Sequence, residues 1–172
     1  MLTIFSLFLF TPCGNKDEEA EELIQYNNEN WVPVNKMRKE KMNEPQTKLS
    51  KLEDEGKDKE AIAVIENEII PILDDIQNEF KDVELQHKKV KKLNDLETEA
   101  EEFLKDSMKE VVIHYNDGDI SEEDIRQNNI EIEEKFLKVT DYRYELIDEY
   151  KLEYVANDES LGNLRNLKRK EE

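Results

Sequence analysis

The feature that most constrains the fold is a stripe of apolar residues that runs through the middle of the chain at helical spacing. It begins at Ile62 and ends at Tyr115, and its members follow one another at steps of three, four or five residues. Such spacing places them on one face of an α-helix. Charged residues make up 40% of the chain and hydrophobic residues 37%, so apolar side chains must be concentrated on narrow stripes to form a core. The composition therefore predicts long amphipathic helices rather than sheets.

A shorter apolar stripe precedes the central one and runs from Leu23 to Leu52. Pro33 and Pro45 interrupt it, and because proline lacks an amide donor we expect this segment to be kinked or split into shorter helices. Gly56 follows the stripe and can adopt the left-handed conformation that closes a helix. The first helical segment is therefore predicted to end there.

The central stripe is compatible with two arrangements, of which we expect the first. One is a single long helix that Pro71 bends near its first third. The other is a pair of helices separated by a turn around residues 82–86, although the stripe keeps its phase through that region. A third segment begins at Ser121, a favourable N-cap residue, and its apolar positions extend to about Asn157.

Together these segments predict an all-α fold, an elongated antiparallel bundle of three long kinked helices, or four if the central one is split. We expect residues 21–157 to form this domain. Residues 13–20 are predicted to be a polar tether, and residues 158–172 a flexible polar tail with little apolar content.

The N-terminus carries a different signal. An apolar run from Leu2 to Phe10 is too short to span a bilayer, which takes about 20 apolar residues, and matches the core of a secretion signal. It ends in the sequence LFTPCGN, which contains Cys13, the single cysteine of the chain. This stretch resembles a bacterial lipobox. The resemblance implies that residues 1–12 are a signal peptide and that the Cys13 thiol is lipidated after cleavage before it.

The layout is similar to that of small all-helical surface lipoproteins of Gram-positive bacteria, of the cell-wall-binding type. The resemblance implies an extracytoplasmic protein that a lipid anchors to the cell membrane. Its function would be that of a non-enzymatic binding or adaptor module, or of a spacer. One alternative is a soluble helical protein without lipid that associates as a coiled coil, and another is a metal-carrying helical bundle.

A formal net charge of -19 limits the partners that are compatible with the chain. It argues against nucleic acid, whose phosphates would be repelled, and favours either a cationic partner or simple solubility in a crowded cell envelope. The chain shows no glycine-rich phosphate loop and no nucleophile with a nearby base, so we expect neither catalysis nor a cofactor.

Few residues stand out as candidate sites. Glu84 and His87 have the Glu-x-x-His spacing of helical metal sites, but the second copy that such a site needs is missing, so they are weak metal ligands. Trp31 and Tyr144 are candidates for partner contacts. Lys88 and Lys91 belong to a basic run that could contact an anionic group.

Overall fold

The computed structural model describes residues 14–119, 121–155 and 164–170, which form four helices and a short two-stranded ribbon. Helix α1 consists of three consecutive segments, Gly14–Gln25, Tyr26–Trp31 and Val32–Asp54, and helix α2 of another three, Asp58–Val64, Ile65–Ile69 and Ile70–Lys81. Helix α3 is Lys88–Asp117, α4 is Glu122–Glu149, and the strands are β1, Leu152–Tyr154, and β2, Leu167–Arg169. The predicted all-α bundle is confirmed. The expected single central helix is not found, and the alternative arrangement with four helices is correct.

The central apolar stripe is divided between α2 and α3 by a non-helical connection at residues 83–87. Val83 and Leu85 in this connection are partly buried and still pack against the core. The stripe therefore keeps its phase through the connection even though the backbone does not remain helical.

Both proline-containing helices continue through their prolines rather than breaking. A π-helical turn, Tyr26–Trp31, lies directly before Pro33, and a second one, Ile65–Ile69, lies before Pro71. At the end of the first turn the amide of Val32 donates to the carbonyl of Asn27, five residues back, and at the end of the second the amide of Ile70 donates to the carbonyl of Ile65. The wider turn accommodates a residue that cannot donate and whose ring would crowd the preceding carbonyl.

Short connections make successive helices antiparallel neighbours. Gly56 closes α1 at a φ of +66°, and Gly118 closes α3 at a φ of +74°, both in the left-handed region. Ser121 caps α4 as predicted, since its hydroxyl accepts the amide of Asp124 at 3.3 Å. Helix α1 packs on α2, α2 packs on α3, and α3 packs on α4.

The buried apolar side chains form two clusters. The first joins the start of α1, the start of α3, the end of α4 and the ribbon, and includes Leu23, Leu93 and Leu146. The second joins the rest of α1 to α2 and the end of α3, and includes Ile76 and Phe80. Trp31 packs against both clusters, so it marks the boundary between them.

The C-terminal part of the chain differs from its prediction. Helix α4 ends at Glu149 rather than near Asn157, and β1 pairs antiparallel with β2 so that Tyr154 faces Leu167. Leu167 is 1% exposed and belongs to the first cluster. The prediction of a flexible tail is therefore wrong for residues 164–170, because one buried leucine and a backbone ladder hold them.

Two asparagines in the first π-turn hold β2 in place. Asn28 accepts the amide of Leu167 at 2.7 Å and donates to its carbonyl at 3.0 Å. Asn27 donates to the carbonyl of Arg165 at 3.0 Å. These contacts satisfy backbone groups that a short edge strand would otherwise leave to solvent.

The predicted tether is also helical where it is described, since α1 begins at Gly14. Ala20 is 2% exposed and lies in the first cluster. Arg169 donates to Asp17 at 2.9 Å and to Glu21 at 2.7 Å. The prediction of a tether over residues 13–20 is wrong from Gly14 onward, because these residues form helix that packs on the bundle.

The buried position of Leu167 makes the ribbon a testable part of the core. Leu167→Ala should lower the free energy of unfolding by about 2–5 kcal/mol, since it removes buried methyl groups and leaves a cavity. Leu137→Ala is the matched control, because Leu137 is 51% exposed and should change stability by less than about 1 kcal/mol. Urea denaturation followed by circular dichroism measures both. Equal effects of the two substitutions would contradict a packed ribbon.

Candidate ligand-binding cleft

An open cleft lies beside the boundary between the two apolar clusters, where α1, α3, α4 and the ribbon meet. Its volume is about 440 Å³. The lining combines aromatic rings with charged groups: Trp31, Asn35, Arg38, Glu97, Phe136, Val139, Thr140, Arg143, Tyr144, Tyr154 and Arg165. Such a mixture of apolar walls and a few polar groups is typical of small-molecule sites.

Arg143 is the central cation of the cleft. Its guanidinium carbon lies 3.5 Å from the centroid of the Trp31 ring, and one of its nitrogens donates to Oδ1 of Asn27. Arg143 is 8% exposed, and among the described residues no carboxylate lies within ion-pair distance of it. Burial lowers the pKa of Arg143, as expected for a cation that has lost most of its water.

Glu97 is the carboxyl group of the cleft. It is 3% exposed and accepts a hydrogen bond of 3.4 Å from Nε1 of Trp31. Burial, reinforced by the charge of Glu101, raises the pKa of Glu97 to about 7, while Arg38 and Arg143 act in the opposite direction. Glu97 can therefore gain or lose a proton near neutral pH.

An ion pair between a partly exposed arginine and a buried glutamate lies behind Glu97. Arg38 on α1 donates to the carboxylate of Glu101 on α3, and Glu101 is fully buried. Burial raises the pKa of Glu101 in spite of Arg38. Within the described ranges, Nε of Arg38 and Oε2 of Glu101 have no hydrogen-bond partner. The pair is therefore incompletely satisfied, which is costly in a medium of low dielectric constant.

The structure brings together two of the predicted partner-contact residues and separates the others from them. Trp31 and Tyr144 line the same cleft, with Tyr144 56% exposed. Lys91 lines a different cavity of about 660 Å³ that also includes Glu84. Lys88 is exposed at the start of α3. The basic run therefore does not contribute to the cleft around Trp31.

The weak metal candidates do not have the predicted helical arrangement. Glu84 and His87 belong to the non-helical connection, so the spacing does not place them on one helix face. Nδ1 of His87 lies 3.1 Å from the carboxylate of Glu22, which also accepts the amides of Gln86 and His87 at 2.7 and 2.9 Å. Glu22 thus caps the start of α3 from α1. In the described ranges no group of three or more His, Cys, Asp or Glu side chains is placed to hold a metal ion.

The predicted lipidation residue, Cys13, lies outside the described residues, as does the apolar run before it. Among the helices that are described, none is both long and apolar enough to cross a membrane.

The charged residues of the cleft were missed from the sequence, although a signal for them exists. Glu97, Glu101 and Lys105 follow Leu93 at successive steps of four residues, so they continue the buried face of α3. Charges at positions that periodicity assigns to the core are unusual and point to a paired or functional group. Arg143 lies between the buried Val139 and Leu146 on α4, so it too is a charge at a position that periodicity assigns to the core.

Comparison of the chain with protein-family models, with curated proteins and with solved structures finds no match. Any functional assignment therefore depends on the chain's own residues and geometry.

The raised pKa of Glu97 predicts a pH-dependent stability. Its folded pKa of about 7 lies above the ordinary value of 4.5, so the folded state binds the proton more tightly than the unfolded state does. The free energy of unfolding should therefore fall as pH rises from about 4.5 to about 7, by on the order of 3 kcal/mol from this group. The groups that face Glu97 are Tyr26, Trp31, Arg38, Glu101 and Arg143.

Glu97→Gln should remove the contribution of Glu97 to the pH dependence of the free energy of unfolding. The variant should therefore be more stable than the wild type at about pH 8. Glu134→Gln is the control, since Glu134 is exposed on α4 and should leave the slope unchanged. Urea denaturation at several pH values measures the difference. If the free energy of unfolding of the Glu97→Gln variant depends on pH as it does in the wild type, Glu97 is not the cause of that dependence.

Proposed function

We propose that the protein is an extracytoplasmic lipoprotein, anchored to the cell membrane through Cys13, whose helical domain is a non-enzymatic binding module at the cell surface. The anchor is supported by the lipobox-like sequence around Cys13 and by the apolar run that precedes it. The binding role is supported by the cleft. The partner is a molecule of the cell envelope or one that reaches it from outside.

The observation that carries the binding role is the buried guanidinium of Arg143 at an open cleft. Removing a cation from water costs several kcal/mol unless another group compensates for the loss. A residue used only to fill the core between Val139 and Leu146 would be apolar, because apolar packing there would be more stable. The stacking of Arg143 on Trp31 fixes the guanidinium plane, which is what a recognition site for a ligand needs.

The anchor and the domain are close in sequence. Helix α1 begins at Gly14, directly after Cys13, so a lipid on Cys13 would hold the bundle beside the bilayer rather than at the end of a tether. A diacylglycerol supplies two acyl chains, and two chains make attachment stable where one gives only marginal binding. The cleft would then be presented at a fixed, short distance from the membrane.

Lipidation predicts that cells expressing the wild-type chain incorporate labelled palmitate into this protein, and that Cys13→Ala abolishes the label. The reason is that the thiol of Cys13 is the acceptor of the lipid. A control variant combines Cys13→Ala with Asn116→Cys, which restores one exposed thiol outside the motif. It should remain unlabelled and leave the membrane fraction.

Equal labelling of the wild type and Cys13→Ala would contradict the anchor. So would labelling of the control variant, because it would mean that any exposed thiol is acylated.

A soluble coiled-coil protein is the second candidate, and one observation favours it. Ile130, Leu137 and Tyr144 follow one another at steps of seven residues on α4 and are 37%, 51% and 56% exposed. A seven-residue apolar repeat is typical of a helix that pairs with another helix. Light scattering of the purified chain distinguishes the candidates: a dimer that Leu137→Glu dissociates would support association, whereas a monomer would exclude it.

A further inference from the structure

We propose that the cleft binds an organic carboxylate with a flat apolar body, whose carboxylate pairs with Arg143 and Arg165 while its body lies against Phe136, Tyr144 and Tyr154. This inference rests on the proposed binding role and specifies the class of ligand for the same cleft. The ligand is a free aryl or aralkyl acid or the C-terminus of a peptide that ends in an aromatic residue, which share this chemistry.

The first argument is the unused hydrogen-bonding capacity of Arg143. A guanidinium has five N–H donors, and among the described residues the side chain of Arg143 makes one hydrogen bond, to Asn27. The side chain is more than nine-tenths buried and lines the cleft. A carboxylate can accept two parallel hydrogen bonds from one guanidinium, which adds both energy and orientation.

The second argument is the charge balance of the cleft. Three guanidinium groups line it, those of Arg38, Arg143 and Arg165, against the one carboxyl group of Glu97. Arg38 is already paired with Glu101. Arg165 is exposed, and in the described ranges no carboxylate lies within ion-pair distance of it. Two cations are therefore available to an anion, although the chain as a whole carries a charge of -19. Remote charges are screened over about 8–10 Å at physiological salt, so the local cations dominate.

The third argument is the apolar wall. The guanidinium carbon of Arg143 lies 5.9 Å from the centroid of the Tyr154 ring, so an anion at Arg143 would have an aromatic surface beside it. Phe136 and Tyr144 extend that surface along α4. Aromatic rings pack well against flat apolar groups. A volume of about 440 Å³ suits a ligand of small-molecule size.

Glu97 favours a monoanion over a phosphate. A second negative charge beside Glu97 would be repelled unless Glu97 takes up a proton, and a dianion would be repelled more strongly. Binding of a carboxylate should therefore be coupled to protonation of Glu97. The groups that face Glu97 are Tyr26, Trp31, Arg38, Glu101 and Arg143.

Calorimetric titration of the purified full-length chain tests the proposal with four probes. Hydrocinnamate represents a free acid, N-acetylphenylalanine represents a peptide C-terminus, N-acetylphenylalanine amide is its neutral counterpart, and inorganic phosphate represents other anions. We expect at least one of the two carboxylates to bind at least tenfold more tightly than the amide and than phosphate. Preference between the two acids distinguishes a free acid from a peptide end.

Variants of the cleft separate binding from folding. Arg143→Gln should weaken binding of the better carboxylate at least about tenfold, and Arg165→Gln about threefold or more. Arg165 and Tyr144 are exposed, so Arg165→Gln and Tyr144→Ala should remain folded even if Arg143→Gln does not. Lys138→Gln is the matched control, because Lys138 is exposed on α4 outside the cleft and should change the affinity less than twofold.

The pH dependence supplies a second readout. Affinity for the carboxylate should fall as pH rises from about 6 to about 8, because the free protein then loses the proton from Glu97 that binding requires. Glu97→Gln should bind with an affinity that does not change over this range.

Several results would overturn the proposal: no binding of either carboxylate at millimolar concentration, equal binding of acid and amide, binding of phosphate alone, or equal effects of Arg165→Gln and Lys138→Gln. These outcomes are independent of palmitate labelling. If Cys13 is lipidated and neither carboxylate binds, the lipoprotein assignment stands and the ligand class is wrong.

Discussion

The partly exposed Arg38 on α1 and the fully buried Glu101 on α3 form a charge pair that links the two helices. Glu101 is fully buried, so a shift of either helix by one turn would leave its charge without a partner, at a cost of several kcal/mol. Apolar stripes alone allow several alignments of neighbouring helices, since leucine packs against leucine in many registers. We infer that the charge pair selects one alignment of α1 with α3, and that this alignment brings Trp31 and Glu97 to the same cleft.

The periodicity of the sequence was sufficient to predict the helical class and most helix boundaries. It failed where apolar spacing continues through non-helical backbone. Val83 and Leu85 keep the phase of the stripe because they still pack against the core, so the connection between α2 and α3 resembles helix in sequence. Tyr150 and Tyr154 are four residues apart, which suggests helix up to Asn157, yet β1 begins at Leu152. In both places tertiary contacts determine the backbone conformation, and the local spacing of apolar residues does not reveal those contacts.

The cleft could be predicted only in part. Trp31 and Tyr144 are predicted as candidates for partner contacts, but their proximity follows from the packing of α1 against α4, which the sequence does not specify. The charged members were missed because long charged side chains are normally assigned to solvent. Charges at Glu97 and Glu101, in phase with Leu93, are the sequence feature from which a buried polar site can be inferred.

The buried state of Glu97 links the fold to the proposed binding role, and its protonation can be measured directly. In a pH titration of the folded protein, the carbon-13 chemical shift of the Glu97 side-chain carboxyl reports its pKa without reference to any ligand. We expect a midpoint of about 7, shifted upward by burial and by Glu101. A midpoint near the ordinary value of 4.5 would contradict a buried charge cluster at the cleft.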